Sequence, residues 1–497
     1  MLCPTNLLFT LVFISITPFS QVVHALALQS QHAHGGGCIP VERAALLSFH
    51  KGITSDGGDV LASWHGYNCC QWRGVSCNNR TGHVTKLHLR NAIPDPGISC
   101  RYYDVCGDAN SLFGKISPSL LSLKHLEHMD LSMNCLLGPN SHIPHFLGSM
   151  KNLRYLNLSG MQFTGRVPSQ LGNLSKLQHL DLGEGYLRTD RMHSTDITWL
   201  TKLPLLQYLR MSTINLSRVD DWPGTLNMIP SLRVINLAEC SLDTASQSLP
   251  YLNLTKLEKL DLSWNNLGHS VASSWFWKLK SLKYLSLGRN QLFGKLPEAL
   301  GNMTSLRVLD LSGNNLNKTE NFENVLKNLC CLEILDLSAN YMNGDIVLLL
   351  EGLPRCAWER MVELHFHTNH FIGTLPNIIG AFSSLSTLNL YSNNLVGPIP
   401  PGLMNLTRLT VLSLWGNQLD GYVPTENGDL TALTYLDLCC NNLIGSIPAE
   451  LGNLKHLASL TLSGNKITGP IPPEVMHSTS LTSLDFSNNK PQWKCTH

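Results

Sequence analysis

The sequence predicts an α/β solenoid, a stack of short coils that each add one strand to a single parallel sheet. Three observations predict it. From Leu385 the chain reads LSTLNLYSNNLVGPIPPGLMNLTR, LTVLSLWGNQLDGYVPTENGDLTA, LTYLDLCCNNLIGSIPAELGNLKH and LASLTLSGNKITGPIPPEVMHSTS, so Asn393, Asn417, Asn441, Asn465 and Asn489 recur every 24 residues. Each unit opens with L-x-x-L-x-L, the alternation of a half-buried strand, and runs into an asparagine and a turn. The composition is also that of a neutral surface: 497 residues with a formal net charge of +1 and only 14% charged residues leave no electrostatic footprint for nucleic acid.

This pattern at this period marks a leucine-rich repeat. A solenoid grows by adding coils, so residues 83–489 read as one elongated domain of about 15–16 coils. Leucines face inward from each strand while the intervening variable residues line a concave sheet. The asparagine after the strand is expected to point inward and bond backbone groups left unpaired by the turn. At a strand spacing of about 4.8 Å, fifteen coils make an arc roughly 70 Å long. That surface suits a protein, peptide or glycan rather than a small metabolite.

At the N-terminus, residues 1–27 read as a secretory signal. Leu7–Ile16 is an apolar core and Ala25-Leu26-Ala27 offers a cleavage site, although the segment before the core has no Lys or Arg. No later stretch approaches the roughly 18 apolar residues a membrane-spanning helix needs. Secretion accounts for the 15 cysteines, since disulfides persist outside the cell. Residues 38–82 read as an N-terminal cap, with a short amphipathic helix over Glu42–Lys51, then Trp64, Trp72 and four crowded cysteines. Four cysteines allow three connectivities, and the pairing adopted is Cys70–Cys77 with Cys38–Cys69.

The cap motifs C-x3-E-R-x-A-L-L-x-F, C-C-x-W-x-G-V-x-C and T-G-H-V-x-x-L-x-L carry a specific resemblance. Together with LRYLNLSGMQFTGRVPSQLGNLSKLQHLDL at 153–182 and the L-x-G-x-I-P segment of most coils, they resemble the plant leucine-rich-repeat receptor-like proteins. The similar group includes tomato's fungal-resistance receptors and its receptor for a fungal xylanase. The resemblance covers nearly the whole chain after the signal. It implies a plant-type horseshoe or superhelix with a parallel concave sheet, a disulfide-bonded helical cap, and a second short strand at G-x-I-P. It also implies a co-receptor kinase as partner.

The first strand is Val84–Leu89, and fifteen full coils follow, starting from Leu126 through to Leu481. Irregular insertions are expected at 91–111, 183–230 and 341–360. Cys100 and Cys106 are close enough to bridge within the first. Cys331, or its neighbour Cys330, is expected to reach Cys356 across the third. Ile214 and Cys240 stand where the asparagine belongs, and Cys240 is expected to be a buried thiol.

Aligning the coils by column gives the candidate sites. His367, Tyr391, Trp415 and Cys439 share one column, with His365, Asn389 and Ser413 beside them. Large aromatics on a solvated sheet face either anchor a ligand or stack as a cross-strand ladder. His365, His367, Tyr391 and Trp415 are the first candidate patch, and Trp264 with Arg289 the second. His365, His367 and His370 lack the carboxylate or thiolate that would complete a metal set, so no metal is expected there. Asp130, Asp181, Asp261, Asp310, Asp336 and Asp437 recur in one column, which makes them a repeat feature rather than paired catalytic carboxylates. No nucleophile elbow or kinase loop is present, and we expect neither enzyme activity nor a cofactor.

Sequons at Asn79, Asn157, Asn173, Asn215, Asn253, Asn302, Asn317 and Asn405 are candidate glycan sites. Residues 490–497 (KPQWKCTH) break the repeat pattern without a cap, and by the resemblance this reads as a truncated relative of single-pass plasma-membrane proteins. The expected function is a secreted, apoplastic recognition protein of plant defence that binds a protein, peptide or glycan on its concave face and signals through partners. The alternatives are a secreted inhibitor of microbial wall-degrading enzymes, resembling the polygalacturonase inhibitors, and a decoy or non-functional fragment.

Overall fold

The structure, a computed structural model, describes residues 37–91, 106–183, 191–243, 249–318, 322–424 and 430–490. The expected signal segment, Cys100 and residues 491–497 lie outside them. Sixteen parallel strands run in single file from Val84–His88 to Ser483–Asp485, joined by unshifted registers such as Leu364↔Leu388 and Leu388↔Leu412. Each pair keeps an apolar residue opposite an apolar one, leucine in most and Met129 or Ile235 in the others, because a one-residue slip would turn the whole apolar set outward. The first strand also pairs antiparallel with Val75–Cys77 of the cap, and the two ends of the file do not pair with each other, so the sheet is open.

A second parallel sheet flanks the first. It joins Asn343–Asp345, His370–Thr374, Asn394–Pro398 and Gln418–Asp420, the strands of the L-x-G-x-I-P segment. Gly373 and Gly397 sit at φ of 94° and 77° in these strands, and a Cβ on Gly373 would meet the Asp345 carboxylate at 2.3 Å. The convex side is closed by short 3-10 turns such as Ser169–Asn173 and Pro401–Asn405.

The coils are held to each other by a ladder of buried asparagines. Asn417 is typical: its Nδ2 donates to Leu414 O of its own coil and Leu390 O of the preceding one, both at 3.0 Å, while its Oδ1 accepts from Leu395 N at 3.1 Å. The same set recurs at Asn314, Asn369, Asn393, Asn441 and Asn465. The ladder is broken between Asn134 and Asn265, where Met161, Ile214 and Cys240 occupy the position and are fully buried. At the last of these, Cys240 Sγ donates to Met211 O at 3.1 Å and Cys240 N to Asn265 Oδ1 at 3.0 Å. Burial pushes this thiol far above its ordinary pKa. The strands on either side, Tyr208–Arg210 and Val234–Asn236, keep full register, so the stack passes through unbroken.

The cap helix runs Pro40–His50, two residues earlier than expected, because Pro40 is pre-set for a first helical position. Trp64 and Trp72 stack at 5.3 Å beneath it, and their indole N–H groups donate to Arg73 O and His65 O. Glu42, 3% exposed, locks the cap to the sheet: Oε2 accepts from Val84 N at 2.7 Å and Oε1 meets His83 Nδ1 at 2.9 Å.

Four disulfides are present among the described residues: Cys38–Cys69, Cys70–Cys77, Cys106–Cys135 and Cys330–Cys356. One departs from the expected partner, and another settles between the two neighbours named for it. Cys106 bonds Cys135 instead of Cys100, because Cys135 N donates to Leu112 O and the next coil is thereby laid beside the insertion. Cys330, not Cys331, bonds Cys356 and holds the short helices Ile346–Glu351 and Arg355–Trp358 of the third insertion against the solenoid.

Asn417→Ala removes three buried hydrogen bonds and leaves the Leu395 amide unpaired, while Leu390 O and Leu414 O keep the Nδ2 donors of Asn393 and Asn441. We expect it to lower unfolding free energy by about 2–3 kcal/mol, against less than about 0.5 kcal/mol for the exposed Asn317→Ala. Urea denaturation of the two variants checks this.

Candidate ligand-binding face

Five of the sixteen strands of the concave face end Asp-x-Ser, at Asp130, Asp261, Asp310, Asp336 and Asp485. In the first four the aspartate Oδ1 accepts from the serine N and Oγ two residues on. The distances are 3.1 and 2.6 Å at Asp130, 3.0 and 2.7 Å at Asp310, and 2.9 and 2.5 Å at Asp336. The bonds fix the strand end before a residue in the left-handed region, such as Ala339 at φ 50°. The recurring aspartates are therefore strand-end caps.

Among the coils that end otherwise, three successive ones carry a ring in the second place: His365-x-His367, Asn389-x-Tyr391 and Ser413-x-Trp415. The rings stack across the strands, His367 on Tyr391 at 4.1 Å and Tyr391 on Trp415 at 4.9 Å, each within 11° of parallel. All three are half-buried, with one edge against solvent. Each offset-stacked pair adds about 0.5–1.5 kcal/mol beyond burial. The ladder reading and the contact-patch reading thus coexist in one group of rings.

His365 is pinned beside them. Asn389 Nδ2 donates to its Nδ1 at 2.9 Å, so its Nε2–H donates to Glu363 Oε2 at 3.0 Å. Tyr391 Oη and His367 Nε2 are 3.4 Å apart. Burial, reinforced by the neighbouring His365, lowers the His367 pKa to about 4. Burial also raises the pKa of Asp336, one strand before His365. His370 opens a strand of the second sheet and is carried away from His365 and His367 by the intervening turn.

Trp264 and Arg289 form a second feature on neighbouring coils. The Arg289 guanidinium lies 4.2 Å above the Trp264 ring, and both residues hold positive φ at the strand-end turn, 59° and 55°. Trp264 is 40% exposed.

A longer ladder occupies the other half of the face and was not found in the sequence. His128, Tyr155, His179 and Tyr208 stack at 4.0, 4.1 and 4.0 Å. They occupy the column two positions before the aspartates, so the same alignment, read there, would have found them. Behind Tyr155 and Tyr208 the asparagine position holds Met161 and Ile214, while the His128 coil keeps Asn134, so the stacked rings add an inter-coil contact where that side-chain bond is absent. The 367–415 stack has no such duty, because Asn369, Asn393 and Asn417 are all in place behind it.

Seven of the sequon asparagines (79, 173, 215, 253, 302, 317 and 405) are exposed. Asn157 is the exception and is withdrawn as a glycan site: it is 5% exposed and its Oδ1 accepts from Ser159 N and Oγ in the strand-end position.

The Leucine rich repeat family matches residues 230–292, 255–316 and 431–490, and the Leucine rich repeat N-terminal domain matches 39–78. Over 311 residues the chain is 37% identical to Receptor-like protein EIX1 of Solanum lycopersicum, covering 60% of this chain and 29% of that protein. Over 312 residues it is 33% identical to Receptor-like protein EIX2 of the same species, covering 58% and 30%. The match therefore spans less than a third of either relative. Among solved structures, the Arabidopsis receptor kinase HAESA, in complex with the peptide hormone IDA and the co-receptor SERK1, superposes with a TM-score of 0.59 at 27% identity. That likeness covers 91% of this chain and 82% of that one. No helix among the described residues is long and apolar enough to cross a membrane.

Burial lowers the pKa of His128 and His179 to about 4, as it does that of His367. Above pH 6.5 these imidazoles are neutral in folded and unfolded chains alike. Between pH 6.5 and about 4 only the unfolded chain takes up the protons, so stability falls with pH across that window. We expect the melting temperature to drop over this range, and the drop to be shallower in a His128→Gln/His179→Gln variant. Calorimetry at stepped pH reads both slopes.

Proposed function

The chain is a leucine-rich-repeat protein related to the plant receptor-like proteins, and from that premise we propose that it is a non-enzymatic extracellular recognition protein of plant defence. Its ligand, a protein, peptide or glycan, lies along the concave face. The observation that carries the reading is the His367–Tyr391–Trp415 stack. It occupies three coils whose asparagine ladder is already complete. Rings that the stack does not need for cohesion, with one edge in solvent, are what a contact surface requires.

Trp264–Arg289 marks the far end of the same surface. Six strand steps separate the Trp264 coil from the Trp415 coil, roughly 29 Å, which an extended segment of about nine residues would span. His365, held in one tautomer by Asn389 and Glu363, presents a fixed polar element between the two. The reading includes a co-receptor kinase as partner. Ile372 and Val396 on the second sheet, and Tyr422 and Ile444 of the isolated bridge on the next coils, are exposed, an apolar run suited to a protein partner.

The test is a binding screen of the full chain against secreted fungal wall-degrading enzymes and short plant peptides. Any ligand bound by the parent chain should lose at least tenfold in affinity to Tyr391→Ala/Trp415→Ala, with the fold verified by circular dichroism. Unchanged binding of every ligand by the folded double variant refutes the site. Binding that also blocks turnover of a wall-degrading enzyme would shift the reading to a secreted inhibitor.

A further inference from the structure

The N-terminal end of the concave face holds a second cluster of chemistry-bearing side chains, distant from the 365–415 patch. The strands Val84–His88 and His128–Asp130 are parallel neighbours, and their register sets His88 opposite Asp130 and Lys86 opposite His128. His88 Nδ1 lies 3.5 Å from Asp130 Oδ2, and the His88 and His128 rings are 5.9 Å apart, inclined at 47°. One nitrogen from each imidazole and one oxygen of Asp130 all fall within 4.8 Å of one another.

The three residues are prepared unequally. Asp130 is 2% exposed, and its Oδ1 is taken by Ser132 N and Oγ, which fixes the carboxylate with Oδ2 turned toward His88. His128 is clamped face to face with Tyr155 at 4.0 Å, and its Nε2 is buried without a hydrogen-bond partner. His88 is the exposed member, with 46% of its side chain open to solvent.

We propose that His88, His128 and Asp130 bind a divalent transition-metal ion of the zinc class, through two imidazole nitrogens and one carboxylate oxygen, with solvent completing the shell. Such ions bind these donors at about 2.0–2.2 Å, which puts ligand atoms roughly 3.3–3.5 Å from each other in a tetrahedral shell. His88 Nδ1 and Asp130 Oδ2 already stand at that separation, and rotation of the exposed His88 ring closes the remaining distance. Two imidazoles and a single carboxylate select against calcium and magnesium, which take all-oxygen shells. Lys86 opposes binding, because its ammonium acts on His128 from the same strand pair. The set is not legible in the sequence, because His88 lies 40 residues before His128 with the first insertion between them.

The experiment is a Co²⁺ titration of the full chain, followed by visible absorption. One equivalent should produce the d–d band of a low-coordinate site, and Zn²⁺ should remove it. His88→Ala, at an exposed position that folding does not need, should weaken Co²⁺ binding at least tenfold, and Asp130→Asn should do the same. Lys86→Ala should tighten it several-fold, and His365→Ala should leave it unchanged. Absence of a band with excess Co²⁺, or a band undiminished in folded His88→Ala, overturns the proposal; the second result would assign the ion to other histidines of the chain.

Discussion

The structure depends on one interaction, the buried asparagine that ties each coil to the one before it. A coil of about 24 residues cannot bury its own leucines, so it exists only as part of a stack. The turn after each strand leaves an amide and two carbonyls without regular partners, and a single carboxamide serves all three. Its donors reach the same coil and the preceding coil together, so it closes the turn and sets the stacking distance in one act. Everything on the concave face is free to vary because this bond behind it is not.

That division separates structure from function on a surface where both look alike. Two aromatic ladders line the same sheet, one with rings 4.0–4.1 Å apart and one with rings 4.1 and 4.9 Å apart. The one at 128–208 starts over Asn134 and runs on over coils where Met161 and Ile214 stand in place of the asparagine. The one at 367–415 stands over an intact set. Similar stacking thus carries different meaning, and the difference lies in what each ladder has behind it.

Much of this was legible in the sequence. The 24-residue period gave the solenoid, and column alignment gave His365, His367, Tyr391 and Trp415 without any coordinates. The aspartate column was legible as a repeat feature, although its bond to the serine two residues on was not. What escaped detection was non-local. Cys106 was matched to its near neighbour Cys100, while the stack brings Cys135 to it from the next coil. The His128–Tyr208 ladder escaped because its rings occupy an earlier column, in coils whose lengths vary. Asn157 satisfied the sequon rule, yet its place at the strand end buries it.

The interruption of the asparagine ladder also sets how the arc deforms. Through Asn290, Asn314 and onward every coil is bolted to its predecessor by directional bonds that resist a change of angle. Across Met161 and Ile214 that side-chain bond is absent, and the coils are joined by the backbone bonds of the sheet, such as Leu158 N to Asp181 O and Met211 N to Asn236 O, and by apolar packing. Fewer directional bonds per coil therefore hold the curvature there than in the run from Asn265 onward.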